Sequence, residues 1–509
     1  MSSISHLLPT NVRSTRLLPI AILLFLLILF LPSLLPKRVG LLPSTPSHKV
    51  TVSSGGTLTH ESREWLGKSV SLQDVLEMGR RRVEVKVKAY DALGTKKQLG
   101  IDIPKHLSME EYTQQLKESW QKWFIAPSSS AFSRHTAPSS PTDDLLKHTL
   151  SHLSLVPPEL LPSSQASIPR YIYTTDLKTP KELPDQFTSW ITENPEWTTM
   201  FVRDGDIDGW LEQAVGVAPG SRLGQSLEQQ DSGEGEEPDR KRKRTVGVPR
   251  VVEEMEWLKA DWGVVRADMF RYLILLINGG VYTDTDTASV LPLERWGVSQ
   301  ETYPPDPLLR SLPHLVSLIS SSSSSSPPPP PPEDETEPNL IVAIEVDALA
   351  TNANWQRQSF VRGLQVVQWT IVGKRGHPVF LDVIGHALGW GEKVRAEEQR
   401  GKRDGEAERE KKDGEILEWS GPGALSVISL PSVDNELMSC SSTDAVFRYL
   451  LVRYGFHPDE ASGLKQPLRV GDIVLMPVNS FRADASEGFQ GDHKVVWHGF
   501  FGRWKKESS

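Results

Sequence analysis

From Val264 onward the chain spaces its apolar residues as a helix does. Val265, Met269 and Leu273 recur every four positions, with Phe270, Ile274 and Ile277 filling the adjoining rows. Asn278-Gly279-Gly280 predicts the stop, because glycine takes a left-handed cap conformation at little cost. Val281-Tyr282-Thr283 then reads as a short buried strand that ends at Asp284-Thr285-Asp286. Upstream, Tyr171-Ile172-Tyr173 and Thr199-Met200-Phe201-Val202 predict two strands, with a helix over Leu183–Thr192 between them. That strand–helix–strand spacing points to a parallel α/β sheet. Downstream, Leu340–Val346 reads as a strand ending in Glu345 and Asp347, Gln356–Ile371 and Pro378–Leu388 as helices, and Asp472–Pro477 as a late strand. Ser108-Met109-Glu110-Glu111 has the form of a capping box opening a helix to about Phe124. Met109, Tyr112, Leu116, Trp120 and Trp123 share one face of it.

Other stretches do not have a packing pattern. Leu17–Leu35 is almost wholly apolar and close to the ~20 residues that cross a bilayer. A cleaved signal peptide has an apolar region of only ~7–15 residues ending at small residues, whereas this one runs into Pro32-Ser33-Leu34-Leu35-Pro36. An uncleaved membrane anchor is the expectation. Its orientation stays open, since Arg13 and Arg16 lie before it and Lys37 and Arg38 after. The expected organisation is a short tail over 1–16, the anchor over 17–35, a stem with some helix over 36–166 and an α/β domain over 167–506. Three stretches interrupt that domain. Residues 216–247 hold the basic run Lys241-Arg242-Lys243-Arg244, 320–338 hold serines followed by prolines, and 394–415 are nearly all charged. Such segments have little to bury and read as insertions into one sheet.

Composition changes this picture little. The 509 residues are 38% hydrophobic and 24% charged with a net charge of −9, which gives no hint of a nucleic-acid partner. The single cysteine, Cys440, excludes an intramolecular disulfide framework.

The candidate chemistry sits where the helix, the double glycine and the strand lead. Asp284 and Asp286, two apart at a strand end, can jointly hold a hard divalent cation that keeps positions open for phosphate oxygens. Asp268 and Arg271 lie one turn apart on the helix, either as an intrahelical ion pair or facing the same ligand. Arg266 is either a solvated cation or a further ligand contact. His498 is either a packed histidine or a late ligand closing over the metal, for which neutral imidazole is competent. Glu345 and Asp347 either orient an acceptor or form a strand-end turn. A phosphotransferase of the Asp-x-Asp-x-Thr/Val type is disfavoured by Ala288 and by the helix that precedes the motif.

These residues resemble a known family. Arg266-Ala267-Asp268, Arg271-Tyr272, Gly279-Gly280-Val281-Tyr282 and Asp284-Thr285-Asp286-Thr287 look like the core signature of glycosyltransferase family 32, in its fungal α-1,6-mannosyltransferase branch. Asn194-Pro195-Glu196-Trp197, Gln368-Trp369-Thr370, Glu418-Trp419-Ser420-Gly421-Pro422, Arg469-Val470-Gly471-Asp472 and His498…Gly502-Arg503-Trp504 extend the resemblance from about Ile168 to Trp504. It implies a GT-A, Rossmann-like fold after a single transmembrane helix, with a lumenal catalytic domain in the Golgi. It also implies a nucleotide-sugar donor (GDP-mannose in that branch), a glycan or glycoprotein acceptor, and Mn²⁺ or Mg²⁺. By the same resemblance Asp268 and Arg271 contact donor sugar and diphosphate, with Arg266 and Tyr282 lining the pocket. Asp284 reaches ribose and metal, and Asp286 and His498 hold the metal. Glu345 joins Asp268 and Arg271 among the catalytic candidates. The chain departs from the family at its opening, where the usual Ile-Pro-Lys-x-Ile-His-Gln-Thr-Trp reads Ile168-Pro169-Arg170-Tyr171-Ile172-Tyr173-Thr174-Thr175-Asp176. That departure leaves a weakly active scaffold subunit of a Golgi complex as an alternative, and the family resemblance itself leaves sugar transfer to an inositol-phosphoceramide lipid as another.

Overall fold

In the computed structural model, residues 71–92, 99–101, 107–125, 141–153, 167–177, 179–217, 248–298, 300–320, 337–351, 360, 362–404, 419, 442–478, 480–481 and 494–499 are described. The expected tail and anchor, and most of the insertions over 216–247 and 320–338, lie outside them. Among the described residues no helix is long and apolar enough to cross a membrane.

Three helices come first: α1 (Leu72–Ala92), α2 (Met109–Trp123) and α3 (Pro141–Ser151). The capping box of α2 forms as its sequence predicts. Glu111 N–H donates to Ser108 Oγ at 3.1 Å, and Ser108 N–H donates to Glu111 Oε2 at 2.8 Å. The aromatic stripe of α2 is fully buried, and Tyr112 donates from its hydroxyl to Asp382 at 3.1 Å. The sheet begins with β1 (Tyr171–Asp176), the short helix α4 (Ser189–Glu193) and β2 (Thr198–Arg203). Helices α5 (Ile207–Ala214), α6 (Arg250–Asp261) and α7 (Gly263–Ile277) then lead into β3 (Gly280–Thr283) and β4 (Thr287–Ser289). The chain continues through β5 (Glu301–Thr302), α8 (Pro307–Ser320), β6 (Leu340–Asp347), β7 (Leu364–Val366) and β8 (Thr370–Gly373). It closes with α9 (Pro378–Asp404), α10 (Ser442–Tyr454), β9 (Leu468–Val470), β10 (Ile473–Met476) and β11 (Val496–His498).

The main sheet runs β2-β1-β3-β8-β6-β10-β9-β5, with β7 also on β6, while β11 and β4 form a separate ribbon. Pairs β1–β2, β1–β3 and β6–β10 are parallel as expected, but β8 runs antiparallel to both β3 and β6, so the sheet is mixed. Successive residues of a strand face opposite ways, and the core divides accordingly. Leu340, Val342 and Ile344 pack with the helices, whereas Ile341 and Ala343 pack with Phe187, Trp190, Trp296 and Val496. Helix α7 is buried on nearly every side, and its charged residues Arg266, Asp268 and Arg271 are buried with it.

Four expectations change. Residues 364–373 form strands rather than the end of a helix. Pairing with β3 and β6 offers their β-branched run (Val366, Val367, Ile371, Val372) a fully buried sheet position. Leu183–Thr192 is not one helix: a 3₁₀ turn at Asp185–Thr188, opened by Phe187 N–H donating to the Pro184 carbonyl at 2.9 Å, comes first, and only the short α4 is α-helical. Helix α9 runs past Leu388 to Asp404, into the charged stretch assigned to an insertion, with Val394 buried and Arg395 bonded to Glu254 at 2.7 Å. Finally, the helices placed in a stem belong to the sheet's own core, since Val75, Tyr112 and Leu145 share a cluster with Tyr282 and Ile371.

Candidate active site

The turn between β3 and β4 is built by the glycine stop that precedes it. Gly279 and Gly280 have φ of 70° and 112°. A Cβ at Gly280 would meet the Tyr171 carbonyl at 2.6 Å, and one at Gly279 the Arg375 nitrogen at 2.5 Å. Glycine is needed both for the backbone angle and for the close approach of β1. Below the turn Thr283, Thr287 and Thr370 form a buried hydroxyl chain, with Thr283 Oγ1 2.7 Å from each of the other two. Thr287 Oγ1 also donates to the Asp284 carbonyl at 2.7 Å and accepts the indole N–H of Trp190 at 3.0 Å. The motif backbone is thereby held from beneath.

At its top, Asp284, Asp286 and His498 each present one ligand atom, all within 4.8 Å of one another. The sequence separates His498 from the aspartates by more than two hundred positions. The β4–β11 ribbon closes that gap, pairing His498 with Thr287, and Gly499 N–H donates to the Asp286 carbonyl at 2.8 Å. His498 Nε2 lies 3.4 Å from Asp286 Oδ1. Burial lowers the imidazole pKa, outweighing the opposing pull of Asp286 and Asp284.

Arg271 and Asp268 form the adjoining wall. The guanidinium lies 2.8 Å from Asp268 and 3.1 Å from Asp284, with both Arg271 and Asp268 almost wholly buried. Burial alone would lower the Arg271 pKa, but the two carboxylates more than offset it and leave it raised. Its charge also sits 4.8 Å from the centre of the Tyr282 ring. Burial, together with the Asp284 charge, raises the Tyr282 phenol well above its ordinary value, so it stays neutral. Arg271 Nε has no hydrogen-bond partner among the described residues, and Nη1 meets Asp268 only as an ion pair. The wall therefore carries unspent donors.

Glu345 joins this group while Asp347 does not. Glu345 is buried at the end of β6, accepting from Gln365 at 2.7 Å and from the Trp369 indole at 3.3 Å. Asp347 accepts from Ala350 N–H, Ser462 Oγ and Gly463 N–H, the bonds of a strand-end turn. Arg266 is likewise occupied elsewhere: it donates to the Asp204 carbonyl and the Asp208 carboxylate, each at 2.6 Å. Thr285, the residue between the aspartates, donates to Asp176 at 2.7 Å and ties the turn to the altered end of β1. Trp369 and Gln365 were not singled out as site residues by pattern. A tryptophan just before a strand carries no spacing signal of its own.

The comparisons locate this geometry. Residues 180–303 match the glycosyltransferase sugar-binding region containing a DXD motif. That span includes Asp268, Arg271, Tyr282, Asp284 and Asp286, whereas His498 and Glu345 lie beyond it. The chain is similar to the initiation-specific alpha-1,6-mannosyltransferase of Candida albicans, 26% identical over 253 residues, 48% of this chain and 54% of that protein. It is also 26% identical over 249 residues to the protein of the same name from Schizosaccharomyces pombe, covering 48% of each. The chain thus spans about half the length of these relatives. The catalytic domain of alpha-toxin from Clostridium novyi aligns over 58% of this chain and 71% of its own at 11% identity and TM-score 0.26, a likeness that carries no weight.

Proposed function

We propose that this chain is a metal-dependent glycosyltransferase of GT-A architecture that moves mannose from GDP-mannose to a glycan hydroxyl, with retention of configuration. The observation that carries the reading is the convergence of Asp284, Asp286 and His498 on one point beside the Arg271–Asp268 pair. The sugar-binding match over most of these residues and the mannosyltransferase names of the relatives support it.

The residues fit the implied cation. Two carboxylates and one imidazole make a mixed oxygen–nitrogen donor set that suits Mn²⁺, or Mg²⁺ with fewer protein ligands. A cation bound there supplies positive charge against the negative charge that grows on a departing diphosphate. The protein's own part is electrostatic and positional. Arg271, held between two carboxylates, adds fixed positive charge beside the place of the diphosphate. Asp268, buried beside it, holds that guanidinium in place, and we assign it the sugar-side contact of the donor pocket. Glu345, fixed by Gln365 and Trp369, is placed to orient the acceptor hydroxyl. The apolar stretch Leu17–Leu35 supports anchoring in a membrane, and the names of the mannosyltransferase relatives make a lumenal Golgi domain the orientation we propose.

The test uses purified protein, Mn²⁺ or Mg²⁺, a panel of nucleotide sugars and mannosylated acceptors, following release of nucleoside diphosphate and product linkage. GDP-mannose turnover that needs the cation and is lost in Asp286→Ala is the expected result. Equal rates for Asp286→Ala and wild type, or turnover of another donor alone, would overturn the reading.

A further inference from the structure

Trp369 touches both halves of the candidate metal site through different parts of itself. Its backbone carbonyl accepts the Asp284 N–H at 2.9 Å, a bond that follows from the antiparallel register of β8 on β3. Its ring lies 4.4 Å from the His498 imidazole, centre to centre and tilted by 41°. Its indole N–H donates to Glu345 Oε1 at 3.3 Å, and Glu345 is itself held by Gln365. Behind it the Phe481 ring packs 6.2 Å away, and the whole side chain is only 5% exposed.

The topology gives this arrangement its meaning. Asp284 follows a strand of the main sheet, whereas His498 lies in the β4–β11 ribbon, a separate hydrogen-bonded unit. Backbone pairing fixes the height of His498 against Thr287 but not the torsions of its side chain, which decide where Nε2 points. The Trp369 ring occupies the flank of that imidazole. Because the indole is anchored to Glu345, its own orientation is set by the main sheet.

We infer that Trp369 is a positioning residue for the metal site: it transmits the geometry of the main sheet to the His498 imidazole and so sets the cation affinity of the Asp284–Asp286–His498 group. The inference rests on the proposed metal-binding role of that group. Partners that orient a metal ligand from behind are worth about 10–100-fold in metal affinity when removed. A residue that acts through His498 loses its effect once His498 is gone.

The experiment is a double-mutant cycle read by Mn²⁺ affinity, from the electron paramagnetic resonance signal of free Mn²⁺, with near-ultraviolet circular dichroism monitoring the fold. Trp369→Leu, which keeps an apolar side chain there but removes the ring, should weaken Mn²⁺ binding about 10–100-fold. Trp369→Phe, which keeps a ring against His498 but loses the indole bond to Glu345, should fall between Trp369→Leu and wild type. In a His498→Ala background Trp369→Leu should change the affinity by less than about threefold, a non-additivity that a general structural role would not produce. Trp369→Leu binding as wild type does, or the two losses simply multiplying in the double variant, would overturn the inference while leaving the metal site standing. Wild-type protein with no Mn²⁺ affinity would overturn both.

Discussion

Replacing Arg271 by methionine tests whether the site is held together by charge. The side chain of Arg271 is 3% exposed and that of Asp268 6%, while Asp284 keeps 29%. At an effective dielectric of about 20, each guanidinium–carboxylate contact at these distances is worth roughly 5–6 kcal/mol of gross attraction. Desolvating the ions takes back several kcal/mol apiece, so the intact pair contributes far less than that sum. Methionine keeps the volume of the aliphatic stem but strands the Asp268 carboxylate in a buried position. Breaking such a pair costs about 3–5 kcal/mol, a large share of the roughly 5–15 kcal/mol that keeps a domain folded. Part of the loss should return in Asp268→Asn/Arg271→Met, where the stranded charge is removed. Arg271→Lys should fall between, because one ammonium cannot serve two carboxylates in fork geometry. Urea unfolding at neutral pH measures these variants and Asp268→Asn alone against wild type. An Arg271→Met loss below about 1 kcal/mol, with the Asp268→Asn effect simply additive, would refute the buried pair as a structural element.

Three further outcomes follow from the same structure. Gly280→Ala should destabilise by at least about 2 kcal/mol, from the positive φ and the clash with the Tyr171 carbonyl. Gly205→Ala, where nothing lies within 4 Å, should be nearly silent when both variants are compared by urea unfolding, and equal effects would refute the close-approach argument. Acid should unfold the protein through a second buried network, in which Asp472 accepts from Asn339, Tyr449 and Tyr454, each at 2.9 Å, with the His377 ring 3.5 Å away. Burial, with help from His377, pushes the neighbouring His152 down to about 3, while His377 and Asn339 outweigh burial and hold Asp472 below its ordinary range. Both groups take up protons in the unfolded chain that the folded one refuses, so stability is lost as the pH is lowered. His152 acts between its ordinary 6.5 and about 3, at up to about 1.4 kcal/mol per pH unit. His152→Phe should flatten the slope of urea midpoints between pH 6.5 and 4, and an unchanged slope would exclude His152 as its source. Thr285→Val should lose about 1 kcal/mol through its bond to Asp176, with none of that loss in an Asp176→Ala background.

The sequence by itself determined the local pieces. Period-four spacing, the Asn278-Gly279-Gly280 stop and the strand that follows are written in adjacent residues, and α7 and β3 formed within a residue or two of the expected bounds. The capping box at Ser108 was equally legible, since both its partners lie three residues apart. So was the pairing of Asp268 with Arg271, one helical turn away. Tertiary structure decided whatever depended on distant partners. Residues 364–373 became strands because β3 and β6 present free edges to them, which no window of their own sequence shows. Helices α1 to α3 joined the core because their apolar stripes have the sheet's helical layer to cover, although Ser- and Pro-rich stretches separate them from it in sequence. Arg266 was drawn off to Asp208, and Asp347 to Ser462 and Gly463, by neighbours far along the chain. The metal-side geometry has the same origin. The Asp-x-Asp motif names two ligands, but only the β4–β11 ribbon brings His498 to them, and only the β8 register sets Trp369 against its ring. Sequence specifies which groups can bind a cation. The fold specifies where they meet, because ligand geometry depends on distances across the sheet rather than along the chain.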